Sequence, residues 1–282
     1  KVLRGRLGPG RRVVGSGVSG FTARQVARVA PGRIARFAPR VVVVQLYAGN
    51  DLLELRHPVS PGRAGLVRSA FWALSDAGLE LPGLLNYRLG QAWGAHRRRR
   101  GDAPITPEGR AALEALPFEP ARYTARDREL LAADPGIVER QLRLTGGMDG
   151  AFEEYAARLR QVLAACRAAR AAAVVFVVPH AVEVSPVYRE RFEALGARFG
   201  APAELEAPES PFGLAVRRVV ASEPGALFAD VKPALRAVEA EGRPVYRNND
   251  SHFAPAGDRA VVEALLPVLA RSGFAAEGPP KE

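Results

Sequence analysis

Two polar residues near the carboxyl end of the chain have the types and the spacing of a catalytic acid–base pair. Asp250 and His252 stand two positions apart, just before an apolar helical pattern that begins at Pro255. In an extended chain, residues i and i+2 project to the same side, so the carboxylate can accept the imidazole N–H and stabilise the imidazolium. The spacing therefore predicts general acid–base chemistry. The alternative is a loop histidine beside an aspartate that caps the helix.

Two glycine-containing turns could bind a developing negative charge. Asn50 follows Gly49 and an apolar run, and its side-chain amide is a suitable donor to an oxyanion. The turn at 15–20, which ends at Gly20, offers backbone N–H groups to the same kind of anion. Each pattern alone is also typical of an ordinary turn. Ser19 lies outside any Gly-x-Ser-x-Gly elbow, so it is not assigned as a nucleophile.

The elements that must position these residues alternate between strands and helices. Short apolar runs predict strands at 11–14, 41–46, 171–178 and 226–228. Apolar residues at helical spacing predict a helix that begins after Thr22, which Pro31 could interrupt, and later helices at 152–170, 188–199, 231–239 and 255–270. This alternation predicts an α/β fold with a largely parallel sheet. In such a sheet the active site forms at the carboxyl ends of the strands, where these three loops lie.

Residues 52–150 interrupt this alternation. They contain many prolines and glycines, with a hairpin pattern near 71–81 and helical patterns near 84–96, 107–116 and 125–133. We interpret 52–150 as an insertion into an α/β core formed by 1–51 and 151–272, with 273–282 as a disordered tail.

Composition narrows the classes of function. The net charge of +10 would suggest nucleic acid as a partner, but only three of the 40 basic residues are lysines. An Arg- and Ala-rich, Lys-poor chain is what a GC-biased genome would produce, so the charge is discounted as a sign of function. No nucleic-acid-binding motif is present, so we expect no nucleic-acid partner. The run Arg97, Arg98, Arg99 and Arg100 predicts at most a weak contact with an anionic surface. The single cysteine, Cys166, excludes an intrachain disulfide and is expected in the core.

The three loops, taken in order, resemble blocks of the SGNH/GDSL hydrolase superfamily. Val13-Val14-Gly15-Ser16-Gly17-Val18-Ser19-Gly20 is similar to its second block, Tyr47-Ala48-Gly49-Asn50-Asp51 to its third, and Asp250-Ser251-His252-Phe253-Ala254-Pro255-Ala256-Gly257 to its fifth. The resemblance covers about 1–51 and 151–272. It implies a flavodoxin-like three-layer α/β/α sandwich with a mostly parallel sheet. It also implies that His252 is the base, Asp250 the acid, and Gly20 and Asn50 the oxyanion hole.

The sequence departs from the family pattern in two places. The common fifth block has the spacing D-x-x-H, which would put Asn249 in the place of the acid; the D-x-H spacing seen here is that of the alginate O-acetyltransferase-like branch. No Gly-Asp-Ser block with the nucleophilic serine precedes Val13. We therefore expect the serine, and the central first strand, upstream of Lys1, with a gap one strand wide between 11–14 and 41–46. The chain by itself is expected to be marginally stable and to have negligible turnover.

For the intact protein, the resemblance predicts a serine ester hydrolase that acts on a small-molecule, glycan or lipid acyl ester without metal or organic cofactor. One alternative is an O-acetyltransferase that acts on an envelope polysaccharide. Another is a non-catalytic binding module that keeps the fold. The resemblance alone favours an envelope, periplasmic or secreted location.

Overall fold

The chain divides into two compact units in a computed structural model that describes residues 2–7, 11–17, 22–49, 51–56, 109 and 116–274. The first unit comprises 1–55 and 118–282, and the second comprises 56–117. Residues 118–150 thus fold with the first unit, although sequence analysis placed them in the insertion. Most of the second unit, including the predicted hairpin near 71–81 and the helical piece at 84–96, lies outside the described residues, as do 275–282 of the tail.

The first unit is an α/β fold. Its strands are β1 (Val41–Tyr47), β2 (Ala172–Val178) and β3 (Ala226–Ala229). Its described helices, in chain order, are α1 (Val2–Arg6), α2 (Ala23–Phe37), α3 (Asp51–Arg56), α4 (Ala125–Ala133), α5 (Ile137–Arg143), α6 (Met148–Ala168), α7 (Pro186–Ala194), α8 (Pro202–Glu206), α9 (Pro211–Ala221), α10 (Lys232–Ala240) and α11 (Pro255–Arg271). Short 3-10 turns occur at Pro120–Arg122 and Ala181–Glu183.

The three strands form one parallel sheet in the order β1-β2-β3. β1 pairs with β2 from Val41↔Ala172 to Tyr47↔Val178, and β2 pairs with β3 from Ala173↔Ala226 to Phe176↔Ala229. Six of the seven residues of β2 are buried, as expected for an apolar strand that is covered on both faces. The expectation of a parallel α/β sheet is therefore confirmed for the described part of the chain.

Amphipathic helices cover this sheet. α6 packs against α2 and β2, and α9 packs against β2 and β3, while α11 packs against β3, α10 and α1. The apolar residues of α6 at helical spacing are buried, and Cys166 lies among them. Thr22 is the N-cap of α2, and the helix continues through Pro31, with Ala27 and Ile34 buried in the core before and after it. No helix in the described segments is long and apolar enough to cross a membrane.

The strand expected at 11–14 is not formed. Residues 11–17 have no regular secondary structure, and within the described chain β1 pairs with β2 alone. Ala172 N–H donates to Arg40 O at 2.9 Å and Ala48 N–H donates to Val178 O at 3.1 Å, so alternate backbone groups from 40 to 48 face β2. The backbone groups of Val41, Val43, Gln45 and Tyr47 consequently face the outer edge of the sheet. A strand needs a partner, and no described strand pairs with residues 11–14.

A cavity of about 1090 Å³ runs along this outer edge. It is lined by residues 11–17, by one side of α2 and by the whole of β1. Six large apolar side chains are exposed in the described part of the chain, and four of them, Val14, Val26, Phe37 and Val43, line this cavity. The cavity is therefore apolar and lies beside strand backbone.

The aromatic contact between α9 and α6 should stabilise this unit strongly. Phe212 is fully buried, with its ring centroid 5.8 Å from that of Phe152 and 5.9 Å from that of Tyr155. We expect Phe212→Ala to lower the free energy of unfolding by about 3–5 kcal/mol, since it removes a buried ring and leaves a cavity. Val187→Ala, at a 47% exposed position, should change it by less than about 0.5 kcal/mol. Urea unfolding measures both, and equal effects would contradict this packing.

Candidate functional site

Asp250 and His252 are in contact. The Asp250 Oδ1 atom lies 2.6 Å from His252 Nδ1 and also accepts the backbone N–H of His252 at 3.2 Å. The His252 side chain is 79% exposed, whereas that of Asp250 is 28% exposed. Because the carboxylate holds Nδ1, the opposite ring nitrogen, Nε2, is left for other chemistry. The contact that the i, i+2 spacing predicts is thus present, although it does not by itself assign a catalytic role.

The loop that carries this pair is closed by antiparallel backbone hydrogen bonds. Arg247 N–H donates to His252 O at 3.0 Å, and Ala254 N–H donates to Val245 O at 2.9 Å. Tyr246 and Phe253 face each other in an isolated β-bridge, with their ring centroids 4.9 Å apart. The six residues 247–252 therefore form a short loop with a fixed base, in which Asp250 lies within the loop and His252 is its last residue.

Gly257 allows α11 to begin close against the base of this loop. A Cβ atom at Gly257 would lie 2.3 Å from Val245 O and 2.9 Å from the Phe253 ring. Val245 O is also the acceptor for Ala254 N–H, so it cannot move away without breaking the closure of the loop. Close packing against Val245 and Phe253 thus explains why the residue at position 257, after the Asp-x-His motif, is a glycine.

The carboxyl end of β1 approaches the same loop. Ser251 hydrogen-bonds the phenol of Tyr47, the last residue of β1. Burial is the main cause that raises the pKa of Tyr47, and the carboxylates of Asp127, Asp51 and Asp250 raise it further. Tyr123 likewise has a pKa raised first by burial, then by Asp127 and Asp250 among others. These tyrosines therefore remain neutral, and Tyr47 connects the end of β1 with the Asp250–His252 loop.

The turn after β1 is built around a half-buried carboxylate and a close-packed glycine. Asp51 Oδ2 accepts the backbone N–H of Tyr47 at 2.9 Å and the hydroxyl of Tyr155 at 3.0 Å. The Tyr47 ring folds back so closely that a Cβ at Gly49 would lie 2.3 Å from its Cζ. Gln141 Nε2 donates to Gly49 O at 2.9 Å from the other side. The backbone on both sides of position 50 is therefore held in place.

The two expected oxyanion donors, Gly20 and Asn50, lie outside the described residues, and so do Arg97, Arg98, Arg99 and Arg100. Their predicted roles stay predictions. The structure brings together the described neighbours of one donor, Tyr47 and Asp51, with the Ser251 side of the other loop.

His180 also lies at the carboxyl end of a strand, but its surroundings are those of a buried structural residue. It directly follows the proline after β2, and its Nδ1 accepts the Val182 N–H at 3.4 Å while its ring packs edge-on against Phe192. Burial lowers the pKa of His180 to about 3. The ring is therefore neutral at physiological pH and caps the turn at Ala181–Glu183.

A buried ion pair next to His180 was not identified from the sequence. Lys232 Nζ lies 3.4 Å from Glu183 Oε1 and donates to Ala207 O at 2.9 Å, and Glu183 Oε2 accepts the His180 N–H at 2.8 Å. Burial lowers the pKa of Lys232, and Glu183 opposes this shift. The pair ties the turn after β2 to the start of α10. Residues so far apart in sequence give no local signal that could have revealed it.

The other described residues that could act as nucleophiles or metal ligands form no second candidate site. Cys166 is buried, and burial raises the pKa of its thiol to about 11, which confirms the expected core position. Within the described residues, no group of three or more His, Cys, Asp or Glu side chains could hold a metal ion. Comparison of the chain with family models, curated proteins and solved structures finds no match.

Gly257→Ala should destabilise the loop base. We expect the free energy of unfolding to fall by about 1–3 kcal/mol because the new methyl group overlaps the Val245 carbonyl. The matched control is Gly213→Ala, since Gly213 is also the third residue of a helix that begins with proline, and its Cβ would lie 3.5 Å from Ser210 Oγ. That control should be neutral or stabilising by up to about 1 kcal/mol. Equal destabilisation in urea unfolding would contradict the close approach.

His180 should make the fold sensitive to acid. The unfolded chain binds a proton near pH 6.5, whereas the folded chain binds it only near pH 3, so this contribution is complete above pH 6.5 and is lost as the pH falls towards 3. In His180→Asn, which keeps an acceptor for the Val182 N–H, the unfolding free energy should decline less steeply, by up to about 1.4 kcal/mol per pH unit. Urea unfolding between pH 7 and pH 4 measures the slope, and an unchanged slope would show that His180 is protonated when folded.

Proposed function

We propose that this protein is a serine ester hydrolase of the SGNH/GDSL type, with His252 as general base and Asp250 as the acid that orients it. The observation that carries the proposal is the 2.6 Å contact between Asp250 Oδ1 and His252 Nδ1 beside the carboxyl end of a parallel sheet. The exposure of the His252 ring supports the same role, since its Nε2 must reach a substrate and a nucleophile.

In the proposed reaction, a serine hydroxyl attacks the acyl carbonyl while His252 Nε2 takes the serine proton. Asp250 accepts the Nδ1–H and stabilises the imidazolium that forms. The tetrahedral intermediate then collapses, and Nε2 returns the proton to the departing alcohol. Water attacks the acyl-enzyme by the same steps in reverse, which releases the acid and frees the serine. No cofactor is required.

The proposed oxyanion donors are the Gly20 backbone N–H and the Asn50 side-chain amide. A donor of this kind typically lowers the barrier by about 3–4 kcal/mol. Support for Asn50 comes from the neighbouring backbone, which Asp51 and Gln141 hold next to the loop of His252.

Within the α/β class, the proposal assigns the chain to the flavodoxin-like three-layer sandwich, which has one more parallel strand beside β1. The cavity along β1 supports this. It runs along the whole outer edge of β1 and exposes apolar side chains such as Val14 and Val43, as a site for one further strand would. Such a strand would pair with the outward backbone groups of Val41, Val43 and Gln45, and would give residues 11–14 a partner. In this proposal it is supplied from outside the described residues, as is the serine.

Acyl transfer to a polysaccharide is a second candidate. The 79% exposed His252 side chain and the short loop that carries it suit a large acceptor, whose hydroxyl would replace water at the acyl-enzyme. The two reactions share every step up to that intermediate. They differ only in whether water or a glycan hydroxyl accepts the acyl group.

The test uses the protein expressed from its complete reading frame. We expect hydrolysis of p-nitrophenyl acetate, and labelling of one serine by a fluorophosphonate that peptide mapping then locates. His252→Ala should lower kcat/KM by about 10²–10⁴-fold because the general base is lost, and Asp250→Ala should also lower it because the ring tautomer is no longer fixed. Glu241→Gln, at an exposed position paired with Arg243, is the control.

The outcomes of this assay distinguish between the candidate functions. Activity that survives His252→Ala contradicts the proposal. A folded protein that neither hydrolyses the ester nor takes the label favours a binding module without catalysis. Faster release of p-nitrophenol when an envelope polysaccharide is added, with acetyl groups recovered on the glycan, identifies the transferase.

A further inference from the structure

One buried tyrosine connects the base of the Asp250–His252 loop to two other elements. The Tyr188 hydroxyl, on α7, accepts the backbone N–H of Tyr246 at 3.1 Å and donates to Glu239 Oε2 at 2.8 Å. The same Glu239 oxygen accepts the backbone N–H of Val245 at 2.9 Å. Two consecutive N–H groups of the loop base thus depend on one phenol and one carboxylate.

The position of the loop follows from these contacts. Val245 and Tyr246 form one side of the antiparallel base, and Phe253 and Ala254 form the other, so that any shift of 245–246 moves both ends of the loop. Tyr246 is fixed further by its own hydroxyl, which donates to Pro179 O at 2.6 Å just after β2. Tyr188 and Tyr246 are almost completely buried, so water cannot replace a lost partner.

Tyr188 suits this task chemically. Its hydroxyl must donate and accept at once, which requires a neutral phenol, and burial raises its pKa well above the ordinary value. Its ring packs edge-on against Tyr246, with the centroids 5.4 Å apart. A phenylalanine would keep this packing and lose only the hydroxyl. Tyr188→Phe, which removes only the hydroxyl oxygen, therefore separates the hydrogen bonding of this side chain from its packing.

We infer that Tyr188 is a positioning residue for the Asp250–His252 pair: through Glu239 and the 245–246 backbone, its hydroxyl sets the contact between the carboxylate and the imidazole. This inference rests on the proposed function of that pair. It predicts that loss of the hydroxyl changes the state of the His252 ring, and not only the stability of the fold.

The test compares Tyr188→Phe with Tyr155→Phe in residues 1–282. Tyr155 is an equally buried phenol that binds the Asp51 carboxylate instead, which makes it a matched control. The readout is the tautomer of the His252 ring at neutral pH, from long-range ¹H–¹⁵N spectra assigned with His252→Ala. We expect the population with the proton on Nδ1 to fall at least twofold in Tyr188→Phe and to stay unchanged in Tyr155→Phe. A Tyr188→Phe protein that is less stable but keeps the wild-type tautomer would overturn the inference.

Glu239 provides a second route if Tyr188→Phe fails to fold. Glu239→Gln keeps an oxygen that can accept from Tyr188 and Val245, so the tautomer should be retained, whereas Glu239→Ala should shift it as Tyr188→Phe does. Equal populations in the two variants would contradict the inference.

Asp250→Ala separates this inference from the proposed function. If Asp250→Ala leaves the ring tautomer unchanged, the pair itself is not formed and the proposed function fails. If Asp250→Ala shifts the tautomer while the Tyr188 and Glu239 variants do not, only the positioning role of Tyr188 is wrong.

Discussion

The pairing of β2 with strands on both sides is the constraint on which the rest of the first unit depends. Because β2 is buried on both faces and bonded along both edges, it fixes where β1 and β3 end. The loops of the candidate site attach at those ends: Tyr47 closes β1, and Pro179 after β2 accepts the hydroxyl of Tyr246. The candidate site is therefore attached to the ends of paired strands, although its own residues lie in loops.

The polar groups beneath the site divide into two sets with different tasks. Asp51, with Tyr47 and Tyr155, holds the turn after β1. Glu239, with Tyr188, holds the base of the loop that carries Asp250 and His252. In both sets one carboxylate accepts a backbone N–H and a tyrosine hydroxyl, which satisfies buried donors and leaves the phenol neutral. The same small arrangement is thus used twice to fix two neighbouring loops.

The sequence predicts the local features of this fold well and the distant ones poorly. The apolar run at 172–178 identifies β2 because burial on both faces needs apolar residues throughout. The valine-rich run identifies β1 as a strand, although Val43 and Gln45 are exposed in the structure. The Asp250–His252 contact is also local, since it depends only on a two-residue spacing. The contact of Tyr188 with Tyr246 spans 58 positions, and no composition or periodicity signals it.

Two differences between the local sequence pattern and the structure have the same physical origin. The run at 11–14 has strand-like residues but no strand partner among the described residues, and a strand is stable only as part of a sheet. Residues 118–150 contain polar helices with little periodicity, yet buried side chains such as Tyr123, Leu131 and Leu142 pack them into the first unit. In both cases tertiary contacts decide the outcome, and local pattern does not.

The open side of β1 has a consequence for the protein in solution. Four consecutive valines beside strand backbone that has no strand partner among the described residues make a template onto which other polypeptides can add and aggregate. The sequence places Arg36 and Arg40 just before these valines, where charge acts as a gatekeeper against such growth. A net charge of +10 adds mutual repulsion between molecules, which salt screens. The arginine content that gives no clue to a ligand thus contributes to colloidal stability.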